Sequence, residues 1–293
     1  MIFALCVDDN YFDQACAVVD SIREHHSTTA VKVYLIGMKL SDVNIDKIAE
    51  LQSKLLEVIY IAFTDSKFSA FGIRSHVSLA AYVRLELPEM LKNENRVIYL
   101  DADLIVTGPL DTIWDADVED KPAAAVENPF FNRHKPLLMD EKSKYFNSGV
   151  MLINLSFFRE FNIAEKAFDF VKQHEENMVF HDQDALNHAI NGNWVELPIN
   201  CNFQTFFIRK FNRFSKAKQK EIREALKTPL IIHYSSGVKP WEAFDPHPLR
   251  NNFLAHYKGI VKKPNGTMIM LRELIRLVYV KCYYFWHFGF IKG

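Results

Sequence analysis

Along the chain, short apolar runs rich in β-branched residues alternate with stretches in which apolar positions recur every three or four residues. The first pattern predicts strands at Ile2–Val7, Val31–Ile36, Glu57–Ile61, Val97–Leu100, Ala123–Val126, Val150–Asn154 and Leu230–Tyr234. The second predicts a helix over Gln14–His25 and another carrying Val43, Ile45, Ile48 and Leu51, with the Ser41 side chain as its cap. Strand–helix–strand alternation of this kind implies an α/β fold with a largely parallel sheet and helices on both faces. Ligands of such sheets bind beyond the carboxyl ends of the strands, so polar residues that directly follow a strand are the candidates for chemistry.

Composition narrows the partners. Hydrophobic residues make up 49% of the 293, ample for a core. Thirty-five basic against 36 acidic residues give a formal charge of −1, so no global field draws the chain to nucleic acid or lipid. The cysteines Cys6, Cys16, Cys201 and Cys282 show no metal-site spacing and read as buried free thiols of a reducing compartment. The N-terminal apolar run meets Asp8 and Asp9 at once, which suits a first strand rather than an export signal and implies a cytoplasmic protein.

Two stretches stand apart. Residues 209–227 hold eight basic residues against Glu221 and Glu224, the pattern of a solvated helix. Residues 261–293 hold six Lys/Arg against Glu273, together with Tyr279, Tyr283, Tyr284, Phe285, Trp286, Phe288 and Phe290. Charges at Arg276 and Lys281 interrupt any span of about 20 apolar residues. A helix lying in a membrane interface and a helix packed on the protein both fit this tail. Residues 1–250 are thus expected to form the catalytic domain, and 251–293 a tail able to attach the protein to the inner face of an anionic membrane.

Asp101-Ala102-Asp103 follows the strand Arg96-Val97-Ile98-Tyr99-Leu100. Two carboxylates at a strand end can hold a divalent cation, whose remaining positions suit diphosphate oxygens. Asp115-Ala116-Asp117 has the same spacing but no strand before it, and reads as a solvated turn. A haloacid-dehalogenase-type phosphatase is an alternative for Asp101 and Asp103. That motif, however, continues with Gly-Thr on a first strand, whereas Leu104-Ile105 follows here. A second strand ends in His233-Tyr234-Ser235-Ser236-Gly237-Val238-Lys239-Pro240-Trp241. Its imidazole, backbone N–H groups and ammonium could converge on a metal-held diphosphate, and nitrogen in the ligand set favours Mn²⁺ over Mg²⁺.

Together with Asp8-Asp9-Asn10-Tyr11, Tyr82-Val83-Arg84-Leu85, Phe146-Asn147-Ser148-Gly149-Val150 and His181-Asp182-Gln183-Asp184, these segments resemble the family 8 glycosyltransferases. The resemblance runs in order from Ile2 to about Trp241. It implies a nucleotide-diphospho-sugar transferase fold of the A type and transfer of glucose or galactose from a UDP-hexose to a sugar or glycolipid acceptor, as in lipopolysaccharide assembly. It puts Asp8 and Asn10 near uracil and ribose, Asp101, Asp103 and His233 on the metal, and Lys239 on the diphosphate. Arg84, Asn147, Asp182 and Gln183 fall at donor-hexose positions. Asn128 stands where the family often has an aspartate touching the donor sugar. Acceptor contacts would come from His76, Phe130 and Phe180, with Phe131 beside them. Ser236, in place of the usual glycine, and Gly237 belong to the same group.

Without the resemblance, Arg84 could be a surface ion pair, Asn147 a turn cap, and Asp182 and Asp184 charges at a helix N-terminus. The residue expected beneath the anomeric carbon is Gln183, a poor nucleophile, which favours same-face substitution. Asp182 or Asp184 would serve in a double displacement. The Asn128–Tyr145 loop is long enough for a lid. A UDP-sugar-binding protein without turnover is the non-enzymatic alternative.

Overall fold

The computed structural model describes residues 1–64, 80–243, 245, 247–261 and 267–288. The chain forms two compact units that interleave in sequence. The first comprises Met1–Asn10, Thr28–Asp101 and Leu110–Pro198, and the second Tyr11–Ser27, Ala102–Pro109 and Ile199–Gly293. This packing-based partition differs from the motif-based boundary at residue 250, because residues 199–250 pack with the tail.

A seven-stranded sheet forms the first unit, in the order β3-β2-β1-β4-β7-β6-β8. Its strands are β1 (Ile2–Asp8), β2 (Val31–Met38), β3 (Leu56–Phe63), β4 (Arg96–Leu100), β6 (Ala123–Glu127), β7 (Phe146–Asn154) and β8 (Val195–Glu196). All neighbours pair in parallel except β7, which runs antiparallel to β4 and β6. Residues 3–7 of β1 and 146–153 of β7 are buried without alternation, as strands covered on both faces require. The remaining strands, β5 (Leu104–Val106), β9 (Phe203–Gln204) and β10 (Ile231–His233), form a three-stranded sheet in the second unit, ordered β5-β10-β9.

All seven expected strands are present. The short β5, β8 and β9 were not foreseen, since two or three residues carry no periodicity. On β7, pairing with β6 jumps from Met151 opposite Ala125 to Asn147 opposite Val126. That bulge frees the backbone of Ser148 for other partners. The expected helices are found as Phe12–His25, Lys216–Lys227, Asp182–Ile190 and, in the tail, Thr267–Phe288.

Three expectations need correction. Ser41 precedes the Asp42–Lys47 helix but forms no side-chain cap, because its hydroxyl points to Asp9 Oδ1 at 3.3 Å. The helix then turns to a 3₁₀ segment at Ile48–Leu51. Only Cys6 and Cys201 are fully buried thiols, each pushed by burial up to about 12; Cys16 is half-buried and Cys282 is exposed. The Asn128–Tyr145 loop is folded down rather than free. Leu137 and Met139 are buried in the core, and Arg133 donates to the Asn177 carbonyl at 2.7 Å.

Candidate active site

Asp101-Ala102-Asp103 links the last residue of β4 in one sheet to the first residue of β5 in the other. Asp101 belongs to the first unit and Asp103 to the second.

In the first unit, Arg84 sits in a 3₁₀ turn and is buried. Its guanidinium donates to Asp101 Oδ1 at 2.8 Å, to the Ser148 carbonyl at 2.8 Å and to Ser148 Oγ at 3.2 Å, and it pairs with Asp182 Oδ2 at 3.0 Å. It also lies over the Tyr99 ring at 4.2 Å, whose hydroxyl donates to Asp101 Oδ1 at 2.9 Å. This is no surface ion pair. One guanidinium fixes both carboxylates, while β7 supplies the carbonyl released by its bulge. Burial pushes the Asp182 carboxyl up to about 6; Arg84 opposes this and Asp101 adds to it.

The Asp182–Ile190 helix begins after His181, whose backbone has φ 46° and ψ −113°. A non-glycine residue in that region stores on the order of 1–3 kcal/mol of strain, and such strain gathers at ligand sites. Gln183 is buried, with Oε1 accepting from Asn147 Nδ2 at 3.1 Å and the Ser148 amide at 3.0 Å. Its Nε2 donates to the Tyr145 hydroxyl at 2.9 Å, and that hydroxyl donates to Asp184 Oδ1 at 2.5 Å. Asp184 Oδ2 accepts the backbone N–H groups of Val179 and Phe180 at 2.6 and 2.8 Å. Asp184 is wholly buried and committed to holding this turn. Asn147 Oδ1 accepts the Gly149 amide at 3.1 Å, so it braces the bulge as well as Gln183.

In the second unit, Asp103 Oδ1 lies 3.2 Å from His233 Nε2, and Lys239 Nζ donates to Asp103 Oδ2 at 2.5 Å and to the Tyr234 carbonyl at 3.0 Å. His233 is buried, and its Nδ1 sits 3.0 Å from Asn202 Oδ1. An oxygen acceptor there places the ring proton on Nδ1 and leaves the Nε2 lone pair directed at Asp103. A lone pair facing a carboxylate suits a cation between them, so the donor set fits a divalent metal. The residues that could hold one are Asp101, Asp103 and His233. Burial works against ionising Asp103, but the Lys239 ammonium overcomes it and holds the carboxyl below the usual range.

Asp8 ends β1 and Asn10 lies two residues beyond it, its backbone amide donating to Asp8 Oδ1 at 3.0 Å. Asn128 follows β6, its amide bound to the Tyr145 carbonyl at 2.8 Å. Phe130 is exposed at φ 65°, and Phe180 is exposed just before the strained His181. Phe131 stacks on Tyr145 at 3.7 Å and is a core contact instead of a free platform. Ser236 Oγ donates to the Val238 carbonyl at 2.6 Å, and open space surrounds the position where Gly237 would carry a Cβ. His76 lies outside the described residues. Asp117 accepts the Glu119 amide at 3.2 Å in an exposed turn, as expected for it.

Sequence reasoning missed Tyr145, Ser148, Tyr99 and Asn202. Tyr99 and Ser148 lie inside motif segments, whereas nothing local marks Tyr145 or Asn202.

Two carboxylates after one strand, with a histidine at the end of another and a lysine six residues beyond it, are groups whose chemistry suits a divalent cation and a diphosphate. Residues 2–245 match the sequence model of Glycosyl transferase family 8, and the chain belongs to that family. This membership removes the phosphatase alternative. General stress protein A of Bacillus subtilis (strain 168) is 32% identical over 265 residues, 88% of this chain and 92% of that protein. The lipopolysaccharide 1,2-glucosyltransferase of Escherichia coli (strain K12) is 28% identical over 249 residues, 83% of this chain and 73% of that protein. The crystal structure of the galactosyltransferase LgtC in complex with donor and acceptor sugar analogs superposes with a TM-score of 0.78 at 24% identity, covering 90% of this chain and 98% of that one. The fold is therefore the A-type nucleotide-diphospho-sugar transferase fold, with helices on both faces of a mostly parallel sheet.

Proposed function

We propose that the chain transfers glucose or galactose from a UDP-sugar to an acceptor sugar with retention of anomeric configuration, using Mn²⁺ or Mg²⁺ held by Asp101, Asp103 and His233. The carrying observation is the Asp103–His233 pair, with the second imidazole nitrogen tied to Asn202 and Lys239 on the other carboxylate oxygen. When bound, the cation supplies Lewis-acid stabilisation of the departing diphosphate. Lys239 exchanges Asp103 for phosphate oxygens and adds a fixed positive charge. Asp8 and Asn10 bind uracil and ribose. Arg84 holds Asp101 and Asp182 in place at the donor hexose, and Asn128 lies at the same sugar.

Asn147 and the Ser148 amide fix the orientation of Gln183, the group proposed beneath the anomeric carbon. Same-face substitution follows, in which the leaving phosphate oxygen takes the acceptor hydroxyl proton. Asp184 makes a poor nucleophile because both its oxygens already accept hydrogen bonds, and Asp182 is tied to Arg84. Phe130, Phe180, Ser236, Gly237 and His76 are assigned to the acceptor. With a lipopolysaccharide glucosyltransferase among the relatives, the acceptor class is a cell-surface glycan or glycolipid.

Residues 1–250 are the catalytic part of this reading and 251–293 its attachment tail, at the cytoplasmic face of the membrane. No described helix is long and apolar enough to cross a membrane. The tail helix buries Tyr284 and sets Phe288 against Phe211 at 4.6 Å, but leaves Leu274, Ile275, Val278, Phe285 and Trp286 exposed. Packed and interfacial roles thus fall on different sides of one helix.

The test is UDP release from UDP-glucose and UDP-galactose with Mn²⁺ and candidate glycans, followed by NMR of the product. An α-linked product from the α-linked donor is expected. An inverted product overturns retention, and tight UDP-sugar binding without release favours a binding protein.

A further inference from the structure

In the second unit, a cavity of about 270 Å³ opens between the tail helix and the segment after β10. Its wall includes Thr205, Arg209, Ser236, Asp245, His247 and Tyr279, with Tyr283 and Tyr284 behind. Ser236 and Val238 in this wall flank Gly237 and immediately precede Lys239, the lysine on Asp103. One short loop therefore serves both the cavity and the proposed diphosphate contact.

His247 is 5% exposed and lies edge-on to Tyr234 at 4.8 Å. Its Nδ1 accepts the Leu249 amide at 3.2 Å, which leaves the ring proton on Nε2. That Nε2 is buried and has no hydrogen-bond partner among the described residues. Burial lowers the imidazole to about 3, so the ring is neutral and its N–H calls for a neutral oxygen acceptor. An acyl chain would leave that donor unpaired, at a penalty of about 1–3 kcal/mol on the scale of buried hydrogen-bonding groups. An anion would meet the Asp245 carboxylate as well as the Arg209 guanidinium, so the wall carries no excess of positive charge to hold it. A hydroxyl-rich, uncharged ligand meets neither objection. Its C–H faces suit the tyrosine rings, while Thr205, Ser236, Arg209 and His247 supply hydrogen bonds. The volume lies below the roughly 300–1,000 Å³ of pockets for drug-sized ligands, which suits a single sugar ring.

We propose that this cavity is a saccharide subsite that holds an acceptor ring other than the one receiving the hexose. The proposal rests on the glycosyltransferase reading and gives the tail helix a part in acceptor recognition. It sorts residues by step: those at the cavity act on acceptor binding and leave donor cleavage alone.

The experiment compares wild type with Tyr279→Ala and with Arg209→Ala, both at exposed positions where folding is not at stake. Full-length protein with UDP and Mn²⁺ is applied to an array of immobilised oligosaccharides, and UDP release from UDP-hexose without acceptor is measured in parallel. Wild type should retain a defined set of glycans of two or more rings, and each variant should lose roughly tenfold in affinity for them. Donor hydrolysis should be equal in all three proteins. Equal glycan retention by wild type and both variants, or no retention by wild type, overturns the subsite. Absence of UDP release from any UDP-hexose in all three proteins would instead sink the transferase reading, while the array result still decides whether the cavity binds saccharide.

Discussion

Arg84 and Asp103 are the centres of two ion clusters that meet in sequence at Ala102, and they are built in opposite ways. In the first unit a single guanidinium serves two carboxylates and a carbonyl, and burial pushes Asp182 up. In the second unit a single carboxylate serves a lysine and a histidine, and Asp103 is held down. The first cluster is a closed frame whose positive charge is already committed. The second has an ammonium on one oxygen of a single acid and a ring nitrogen facing the other, an arrangement that a metal and a diphosphate would redistribute. Under the proposed function, the first cluster positions and the second binds.

Removing the frame's cation should have the largest effect on stability. Arg84→Met leaves the buried Asp182 beside the half-buried Asp101 without compensation, a loss expected at about 3–5 kcal/mol. Urea unfolding would show it, and adding Asp182→Asn should restore part of the loss. A change under about 0.5 kcal/mol, the usual range of surface substitutions, would mean that Arg84 is not the keystone of the frame.

Next in size is Gln183→Ala, expected to slow transfer by about 10- to 1,000-fold, on the order of 1.4–4 kcal/mol, with the product still retained. Full loss of transfer in Asp182→Asn or Asp184→Asn with donor binding intact, and a glycosylated aspartate detected by mass spectrometry, would replace same-face substitution with double displacement.

The raised Asp182 carboxyl predicts a pH effect of on the order of 2–3 kcal/mol. Unfolded, the group ionises near pH 4, whereas in the folded protein it holds its proton to about 6. Between those values the native state binds more protons, so this group's contribution to stability falls as pH rises, and the loss is complete above about 6. In EDTA, Asp182→Asn should therefore gain on wild type from pH 4 to 6 and hold that gain above. A difference independent of pH would show that Asp182 ionises normally.

Tyr145→Phe should be milder, removing the hydroxyl between Gln183 and Asp184 at about 1–2 kcal/mol of stability and lowering kcat more than it raises the donor KM. An unchanged kcat would show that Gln183 needs no such brace.

The sequence made the ends of β1, β4 and β10 legible because strands buried on both faces are unbroken apolar runs, and the polar residues that stop them are conspicuous. Asp8, Asp101 and His233 all stand at such stops. The frame around Arg84 was less legible. Its partner Ser148 is exposed to it by a bulge that no composition marks, and Asn202 reaches His233 across 31 residues. Tyr145 reads as one aromatic among many until its hydroxyl is seen between Gln183 and Asp184. Ser41 shows the reverse error: a good local cap was available, but Asp9 took the hydroxyl. In the tail, helical character was readable, yet which side packs depended on Phe211 and Arg223, far away in sequence.

The central claim, that Asp103 helps hold a cation on which UDP-hexose cleavage depends, is tested most directly by titrating Mn²⁺ into EDTA-stripped protein and following UDP release. Wild type and Asp117→Asn should both be silent without metal and active with it. Asp103→Asn should stay slower by at least about a thousandfold at every Mn²⁺ concentration, on the order of 4 kcal/mol. Full turnover by stripped wild type, or near-normal turnover by Asp103→Asn at saturating Mn²⁺, would contradict the account.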